Sequence, residues 1–274
     1  MKTQIEELAA LLRRHPALVL SGAGISTDSG IPDYRSPAAL ARRREPMRYQ
    51  EFSRSEEARK RYWARSHAGW LQMRMVGPNA AHWAVARLER AGCLTGVLTQ
   101  NVDGLHQRAG SSNVLELHGS IARVRCLDCD ALEPMAAVQG RMAAMNPDFL
   151  ALAARLNPDG DAELPDGEAA GFRVPTCLSC GGRLKTDVVF FGENVPAAVV
   201  ERAWQMLTDA GSLLVVGSSL TVRSGYRFVE AAAAQGKEIA IVNRGVTQGD
   251  GLAAIRIDAP LGAVLPELQR KLLD

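Results

Sequence analysis

An α/β fold built on a doubly wound parallel sheet is the architecture this chain predicts, on three observations. Short apolar runs alternate with stretches of helical periodicity. Several of those runs are apolar at consecutive positions, as strands covered on both faces must be. Most of them end in glycine or small polar residues, at the edge where open α/β sheets take their ligands.

The expected strands are 17–21, 97–100, 114–117, 188–191, 213–217, 239–243 and 255–258. Between them lie the expected helices. Residues 1–14 place Ile5, Leu8, Leu11 and Leu12 at helical spacing among charges. Residues 79–91 open after Pro78, and 196–210 carry proline in the first turn, a position where its missing N–H has no cost. Residues 225–235 and 261–273 complete the set. Strand, helix and parallel strand in succession imply right-handed crossovers.

The 274 residues are enough for one large domain or a domain with a substantial insertion. At 47% hydrophobic and 23% charged residues the chain reads as globular rather than disordered. A net charge of +2 gives no general reason to expect nucleic-acid binding. No apolar run approaches the ~20 residues of a membrane span, and residues 1–14 lack signal-peptide and transit-peptide patterns. A soluble, cytoplasmic protein is expected. Two segments break the α/β pattern. Residues 35–75 hold eleven basic residues against four glutamates, +7 locally, and 157–168 form an acidic stretch punctuated by proline and glycine.

Four of the five cysteines form two Cys-x-x-Cys pairs, Cys126 with Cys129 and Cys177 with Cys180, the second followed by two glycines. Such knuckles point to tetrahedral zinc on four thiolates, and a closed set of four leaves no open coordination position, so the metal should be structural. The spacer of 47 residues exceeds the usual ~15–20 and predicts a helical insertion between the knuckles. Cys93 reads as a small buried apolar residue.

Other candidate residues cluster at strand ends. The first strand runs into Gly22, Ala23, Gly24 and Ser26; glycines there allow a tight turn and close approach of a pyrophosphate, or form a turn with no ligand. Gln100, Asn101 and Asp103 crowd the end of the second strand, where amides and a carboxylate suit a ribose or an amide; Asp103 also suits a helix cap. His118 ends the third strand, placed either as a general base or as a structural histidine. Gly217, Ser218 and Ser219, then Asn243, Arg244 and Gly245, repeat the theme.

Read together, these pieces resemble the sirtuin family. The residues that carry the resemblance are GAGISTDSGIPDYR at 22–35, TQNVD at 99–103, LHG at 117–119, the four cysteines, VFFGE at 189–193, GSSL at 217–220 and VN at 242–243. RYWAR at 61–65, GW at 69–70, NPDGD at 157–161 and the long spacer resemble its class II branch, which includes a mitochondrial sirtuin of animals. The resemblance implies a Rossmann-type doubly wound parallel sheet (1–34, 76–122 and 186–274) with a small inserted zinc-ribbon and helical domain. Residues 35–75 would supply the cofactor-binding loop and helical part, and 123–185 the zinc-binding part.

It also implies an NAD-dependent protein-lysine deacylase, with NAD as co-substrate, one structural zinc and acyl-lysine proteins or peptides as substrates. Gly22, Ala23, Gly24 and Ser26 would hold the pyrophosphate, and Asp33, Tyr34 and Arg35 would lie on a loop closing over NAD. Gln100, Asn101 and Asp103 would line the nicotinamide and ribose pockets. Gly217, Ser218, Ser219, Asn243, Arg244, Gly245 and Leu261 would contact the rest of the cofactor. Val189, Phe190, Phe191, Gly192 and Glu193 would pair with substrate backbone as an added strand. In the implied chemistry the acyl oxygen attacks the nicotinamide ribose, nicotinamide leaves, His118 accepts a proton from a ribose hydroxyl with Asn101 beside it, and O-acyl-ADP-ribose is released. The basic run at 35–75 then reads as a solvated helix face or as steering toward anionic NAD, rather than as a nucleic-acid site.

Tyr62 and Arg65 share one face of a predicted helix. A Tyr-x-x-Arg pair marks sirtuins that prefer acidic acyl groups; a solvated arginine beside a core tyrosine is the equal alternative. An acyl group longer than acetyl is expected. Two other functions fit the same scaffold: protein ADP-ribosyl transfer, and a silent NAD-binding or zinc interaction module. Nothing in the sequence indicates an oligomeric state.

Overall fold

The computed structural model describes residues 1–34, 46–149, 157, 159–165 and 167–274. Arg35, expected on the loop over the cofactor, lies outside the described residues, as do 36–45 of the basic run and Pro158 and Asp166 of the acidic stretch.

Six strands form one parallel sheet: β1 (Ala17–Ser21), β2 (Leu94–Thr99), β3 (Val114–Glu116), β7 (Ser212–Val216), β8 (Glu238–Val242) and β9 (Ile255–Ile257), in the order β3-β2-β1-β7-β8-β9. Every residue of β1 and β7 is buried, which explains the unbroken apolar runs. One face is covered by α1 (Lys2–Arg14), α4 (Ala80–Arg90) and α9 (Leu261–Leu273) through Ile5, Leu8, Leu12, Val85, Leu88, Val264 and Leu268. The other is covered by α7 (Ala197–Asp209) and α8 (Arg223–Ala234) through Met206, Leu207, Phe228 and Val229. Asn79 caps α4: its side chain accepts from the Ala81 and His82 amides while His82 returns a bond to the Asn79 amide. The strand order reverses direction between β1 and β7, and a crevice opens beyond the carboxyl ends of such a pair.

A second, three-stranded antiparallel sheet has the order β5-β4-β6, from β4 (Gly119–Cys126), β5 (Leu132–Pro134) and β6 (Leu184–Val188). Around it pack α2 (Tyr49–Arg54), α3 (Glu56–Met75) and α6 (Met135–Met145), with Phe52, Trp63, Val124, Val138, Met142, Phe172 and Leu184 as a separate core. The helix expected between the knuckles is α6. The run 188–191 is not a strand of the parallel sheet. Strand β6 ends at Val188, and the chain then turns back, the Glu193 amide donating to the Phe190 carbonyl (3.0 Å) with Gly192 at φ +81°. Among the described residues no helix is long and apolar enough to cross a membrane.

Candidate functional site

Three glycines build the floor of the switch-point crevice. β1 ends at Ser21, and a 3-10 helix (Ala23–Ser29) follows Gly22. The Gly24 amide donates to the Gly217 carbonyl at 2.8 Å, and the Gly22 amide to the Val216 carbonyl at 3.1 Å. A Cβ on Gly22 or Gly24 would lie 2.8 Å from the Gly217 carbonyl oxygen. The glycines are therefore required first by backbone meeting backbone between β1 and β7. Their contact with each other, rather than with a ligand, is what excludes a side chain.

Above this floor the polar residues at the strand ends bond to one another. β2 stops at Thr99, which leaves Gln100 and Asn101 just past its end. The Asn101 amide group donates to the Gly22 carbonyl and to Ser26 Oγ, both at 3.1 Å. Ser26 Oγ donates to Asp103 Oδ2 at 2.7 Å, and Asp103 Oδ1 accepts from the Leu105 amide at 2.9 Å, at the start of α5 (Leu105–Arg108). Asp103 thus serves the crevice and the helix end together. Burial raises the Asp103 pKa, against the lowering effect of its Leu105 and Ser26 bonds. Gln100 Nε2 donates to Ser218 Oγ across the crevice (2.8 Å), linking β2 to β7.

His118 stands at the edge of this group, between β3 and β4. Its Nδ1 lies 2.9 Å from the Gln100 carbonyl and its Nε2 2.8 Å from Ser224 Oγ. A carbonyl only accepts, so Nδ1 carries the proton and Nε2 is left bare. Burial lowers the pKa of His118 against the raising effect of its Gln100 bond, and Arg227 adds to the lowering, which favours the neutral ring. A neutral imidazole with an unprotonated Nε2 can accept a proton once a donor hydroxyl reaches it.

The remaining predicted cofactor residues lie on neighbouring loops. The Asn243 side chain donates to the Arg244 and Gly245 carbonyls (2.9 and 3.2 Å), and the Gly245 amide donates to Asp258 Oδ1 (3.0 Å). Leu261 opens α9, buried, with Cδ1 pressed toward Gly217. Ser219 is tied by its carbonyl to the Gln248 amide (3.1 Å). The Tyr34 ring meets Phe191 edge-on, centroids 6.5 Å apart, and Asp33 precedes it after the 3-10 helix.

The 189–193 turn is held from both sides. The Val189 amide donates to the His118 carbonyl (2.8 Å), the Tyr49 amide to the Phe191 carbonyl (3.0 Å) and Gln50 Nε2 to the Gly192 carbonyl (2.8 Å). Glu193 accepts from the Phe190 amide (2.8 Å) and pairs at 3.0 Å with Lys185, which is 5% exposed. Tyr62 packs on Phe190 (5.0 Å) and donates to Thr186 Oγ1 (2.8 Å). With Trp70, Met73, Ile121 and Thr186 it lines a cleft. The Arg65 guanidinium pairs with Asp161 at 3.4 Å and donates to the Ala162 carbonyl.

The cysteine knuckles mirror each other. The Cys126 and Cys180 sulfurs are 3.5 Å apart, those of Cys129 and Cys177 3.8 Å, and all four lie within 4.8 Å of one another. Tetrahedral zinc with bonds of about 2.3 Å separates its sulfurs by about 3.8 Å. Each knuckle ends on a left-handed residue, Asp130 (φ 58°) and Gly181 (φ 73°), whose amide closes back onto the carbonyl of Cys126 or Cys177. The Asp128, Ser179 and Gly182 amides point at the sulfurs of Cys126, Cys177 and Cys180. Donor chemistry and spacing fit one structural zinc.

A match to the Sir2 family spans residues 22–224. The chain belongs to that family. Among its relatives, an NAD-dependent protein deacetylase 1 of Streptomyces coelicolor is 54% identical over 270 residues, covering 98% of this chain and 90% of the relative. The mitochondrial NAD-dependent protein lipoamidase sirtuin-4 of Homo sapiens is 48% identical over 252 residues, 91% of this chain and 80% of that protein. A solved Sir2 homologue complexed with NAD has TM-score 0.76 at 30% identity, covering 97% and 93% of the two chains. A Sir2 structure with a p53 peptide and NAD+ has TM-score 0.75 at 28% identity, covering 97% and 98%.

In this sirtuin, sequence reasoning missed several residues at the site. Thr99 Oγ1 accepts from Ser21 Oγ (2.8 Å) and from the Asn101 amide (3.0 Å), and His106 sits against Ser21 (2.9 Å), so a buried polar chain underpins Asn101. Lys185 and Ser224 carried no signal in the sequence. The sequence places Ser224 two residues after Val222, far from His118 in the chain.

Proposed function

We propose that this sirtuin is an NAD-dependent protein-lysine deacylase that passes the acyl group to ADP-ribose and releases nicotinamide. The observation that carries the reading is His118. Its ring is fixed through Nδ1 to the Gln100 carbonyl beside a switch-point crevice, with Nε2 unprotonated and facing the Ser224 hydroxyl. Bound NAD would supply a ribose carbon open to attack by the acyl oxygen of a lysine amide. The chain's own residues do the rest. Gly22, Ala23, Gly24 and Ser26 would face the pyrophosphate, the glycines leaving the backbone open to its close approach. Gln100, Asn101 and Asp103 would orient the nicotinamide and ribose. His118 would take the ribose hydroxyl proton. Gly217, Ser218, Ser219, Asn243, Arg244, Gly245 and Leu261 would seat the remainder of the cofactor, and Asp33 and Tyr34, with Arg35, would cover it. The 189–193 turn would align substrate backbone as an added strand. The names of the relatives support this reading.

The preferred acyl group is longer than acetyl. In support, Tyr62, Trp70, Met73 and Ile121 put apolar side chains around a cleft beside Phe190, where the methylenes of a longer acyl chain would pack. Arg65 already neutralises Asp161, so a distal carboxylate would compete with Asp161 for it. Long neutral acyls should therefore outpace acidic ones. A panel of acyl-lysine peptides in which acetyl-lysine turned over fastest overturns this.

The test of the whole reading is mass spectrometry of products from an acyl-peptide library with NAD. Wild type should yield free lysine and O-acyl-ADP-ribose, and His118→Ala should lose at least about 100-fold in kcat while keeping zinc and fold. ADP-ribose found on protein rather than on a small product would assign ADP-ribosyl transfer instead.

A further inference from the structure

We propose that Ser224 is a positioning residue for His118, a second anchor that fixes the imidazole plane from the side opposite the Gln100 carbonyl. The proposal rests on the reading of His118 as the base. After β7 the chain passes Leu220, held at φ +61°, and enters α8 at Arg223, which brings Ser224 into the first turn of that helix. Ser224 Oγ then stands 2.8 Å from Nε2, while Nδ1 bonds the Gln100 carbonyl at 2.9 Å. One hydrogen bond lets a ring pivot about it; two, at opposite nitrogens and from different elements, do not.

The approach of α8 to His118 is built in. Gly225, next to Ser224, faces the Gln100 side chain so closely that a Cβ there would lie 2.6 Å from Oε1. A side chain at 225 would push the Gln100 tip away from its bond to Ser218 Oγ. Arg227, one turn on, donates from Nε to the Ser224 carbonyl (3.2 Å). Its guanidinium stacks on Trp204 (5.6 Å) and Phe228 (5.1 Å), which ties the turn to the α7–α8 core. A serine hydroxyl can donate to bare Nε2 and, rotated, accept from protonated Nε2–H. Nε2 has one lone pair, so Ser224 holds the ring in the substrate-free protein, turns its hydroxyl aside as the ribose hydroxyl takes its place, and accepts from Nε2–H once the proton has moved.

Ser224→Ala, Ser224→Thr and His118→Ala, assayed with NAD and an acyl-peptide, test this. Ser224→Ala should lower kcat about tenfold, the worth of one hydrogen bond to a catalytic group, with both KM values within about twofold of wild type. O-acyl product should fall more than nicotinamide release. Ser224→Thr, which keeps the hydroxyl, should recover kcat to within about threefold. Nitrogen NMR of the substrate-free protein should find His118 protonated at Nδ1, with the Nε2 resonance moving downfield in Ser224→Ala as its donor is lost. An unchanged Nε2 resonance overturns the proposal, as does an unchanged kcat in Ser224→Ala or a threonine that recovers nothing. If His118→Ala turns over like wild type, the base assignment fails instead, and the NMR arm still reports whether Ser224 holds the ring.

Discussion

Replacing Gly217 with alanine should break the crevice floor. The residue sits at φ +61°, in the left-handed region, which costs an alanine about 1 kcal/mol. Its Cβ would lie 2.5 Å from the Ile25 amide nitrogen, 2.7 Å from the Gly24 carbonyl carbon and 2.9 Å from Leu261 Cδ1. The leucine tip can move. The other two atoms are backbone, and Gly24 is hydrogen-bonded to the very residue being changed. Ordinary contacts are about 3.5 Å, so β1 and β7 must part by about 1 Å at their ends. Overpacking of that kind costs about 1–3 kcal/mol. The sum, roughly 3 kcal/mol, is a large share of the ~5–15 kcal/mol that holds a domain folded. At about 2–4 °C per kcal/mol the melting temperature should fall roughly 6–12 °C. Thermal unfolding followed by circular dichroism reads this, and calorimetric titration should show NAD affinity falling about tenfold or more. Gly236→Ala is the control: it shares the positive φ (68°) but has nothing within 4 Å of the added carbon, so only the conformational cost remains. If Gly217→Ala melted within about 2 °C of wild type and bound NAD normally, the interlock of β1 with β7 would be wrong.

Other expectations concern metal and protons. Atomic emission should find one zinc per chain; Cys180→Ala should lose it and melt lower, while cobalt in place of zinc should leave turnover unchanged, and activity that tracks metal identity would make the site catalytic. Burial holds the His118 pKa below the ordinary histidine value of about 6.5, so the acid limb of kcat/KM should have its midpoint below that value; a midpoint at or above pH 7 contradicts the buried, neutral ring. His82 and His106 are fully buried against each other, rings 5.0 Å apart, with pKa values lowered by burial to about 3 and about 4. The unfolded chain protonates them near 6.5 and the native one does not, so their stability is intact above pH 6.5 and is lost as pH falls toward 4. At pH 5 the loss is about 2 kcal/mol each. Urea midpoints at pH 7 and pH 5 should show it, and His106→Gln should remove about half of that slope; an unaltered slope refutes the assignment.

The parallel sheet was legible because its strands are buried on both faces, and β1, β7 and β8 accordingly read as unbroken apolar runs. The antiparallel sheet was not. In β4 the Arg123 and Arg125 side chains face outward, and their partner Asp187 is on β6, so the charges that hide both strands are each other's counterions. In β6 Lys185 is buried, neutralised by Glu193 beyond the turn, a pairing no local pattern reveals. The apolar run 188–191 then masqueraded as a strand because a tight turn can be as apolar as one. Part of the described basic run is paired: Lys60 with Glu56 and Arg61 with Glu51 at the surface, and Arg65 with the buried Asp161. At the site, residues that end strands were legible because chain order puts them at one sheet edge. Ser224 arrives from a helix start, and only its three-dimensional approach to His118 reveals it.

The decisive structure is a crystal of this sirtuin with an acyl-lysine peptide and a slowly reacting NAD analogue. A hydroxyl of the nicotinamide ribose should sit about 3 Å from His118 Nε2, with Asn101 and Asp103 around the same sugar and the pyrophosphate over Gly22 and Gly24. A ribose seated beyond reach of that nitrogen, with no water between, would contradict the assignment of His118 as the base.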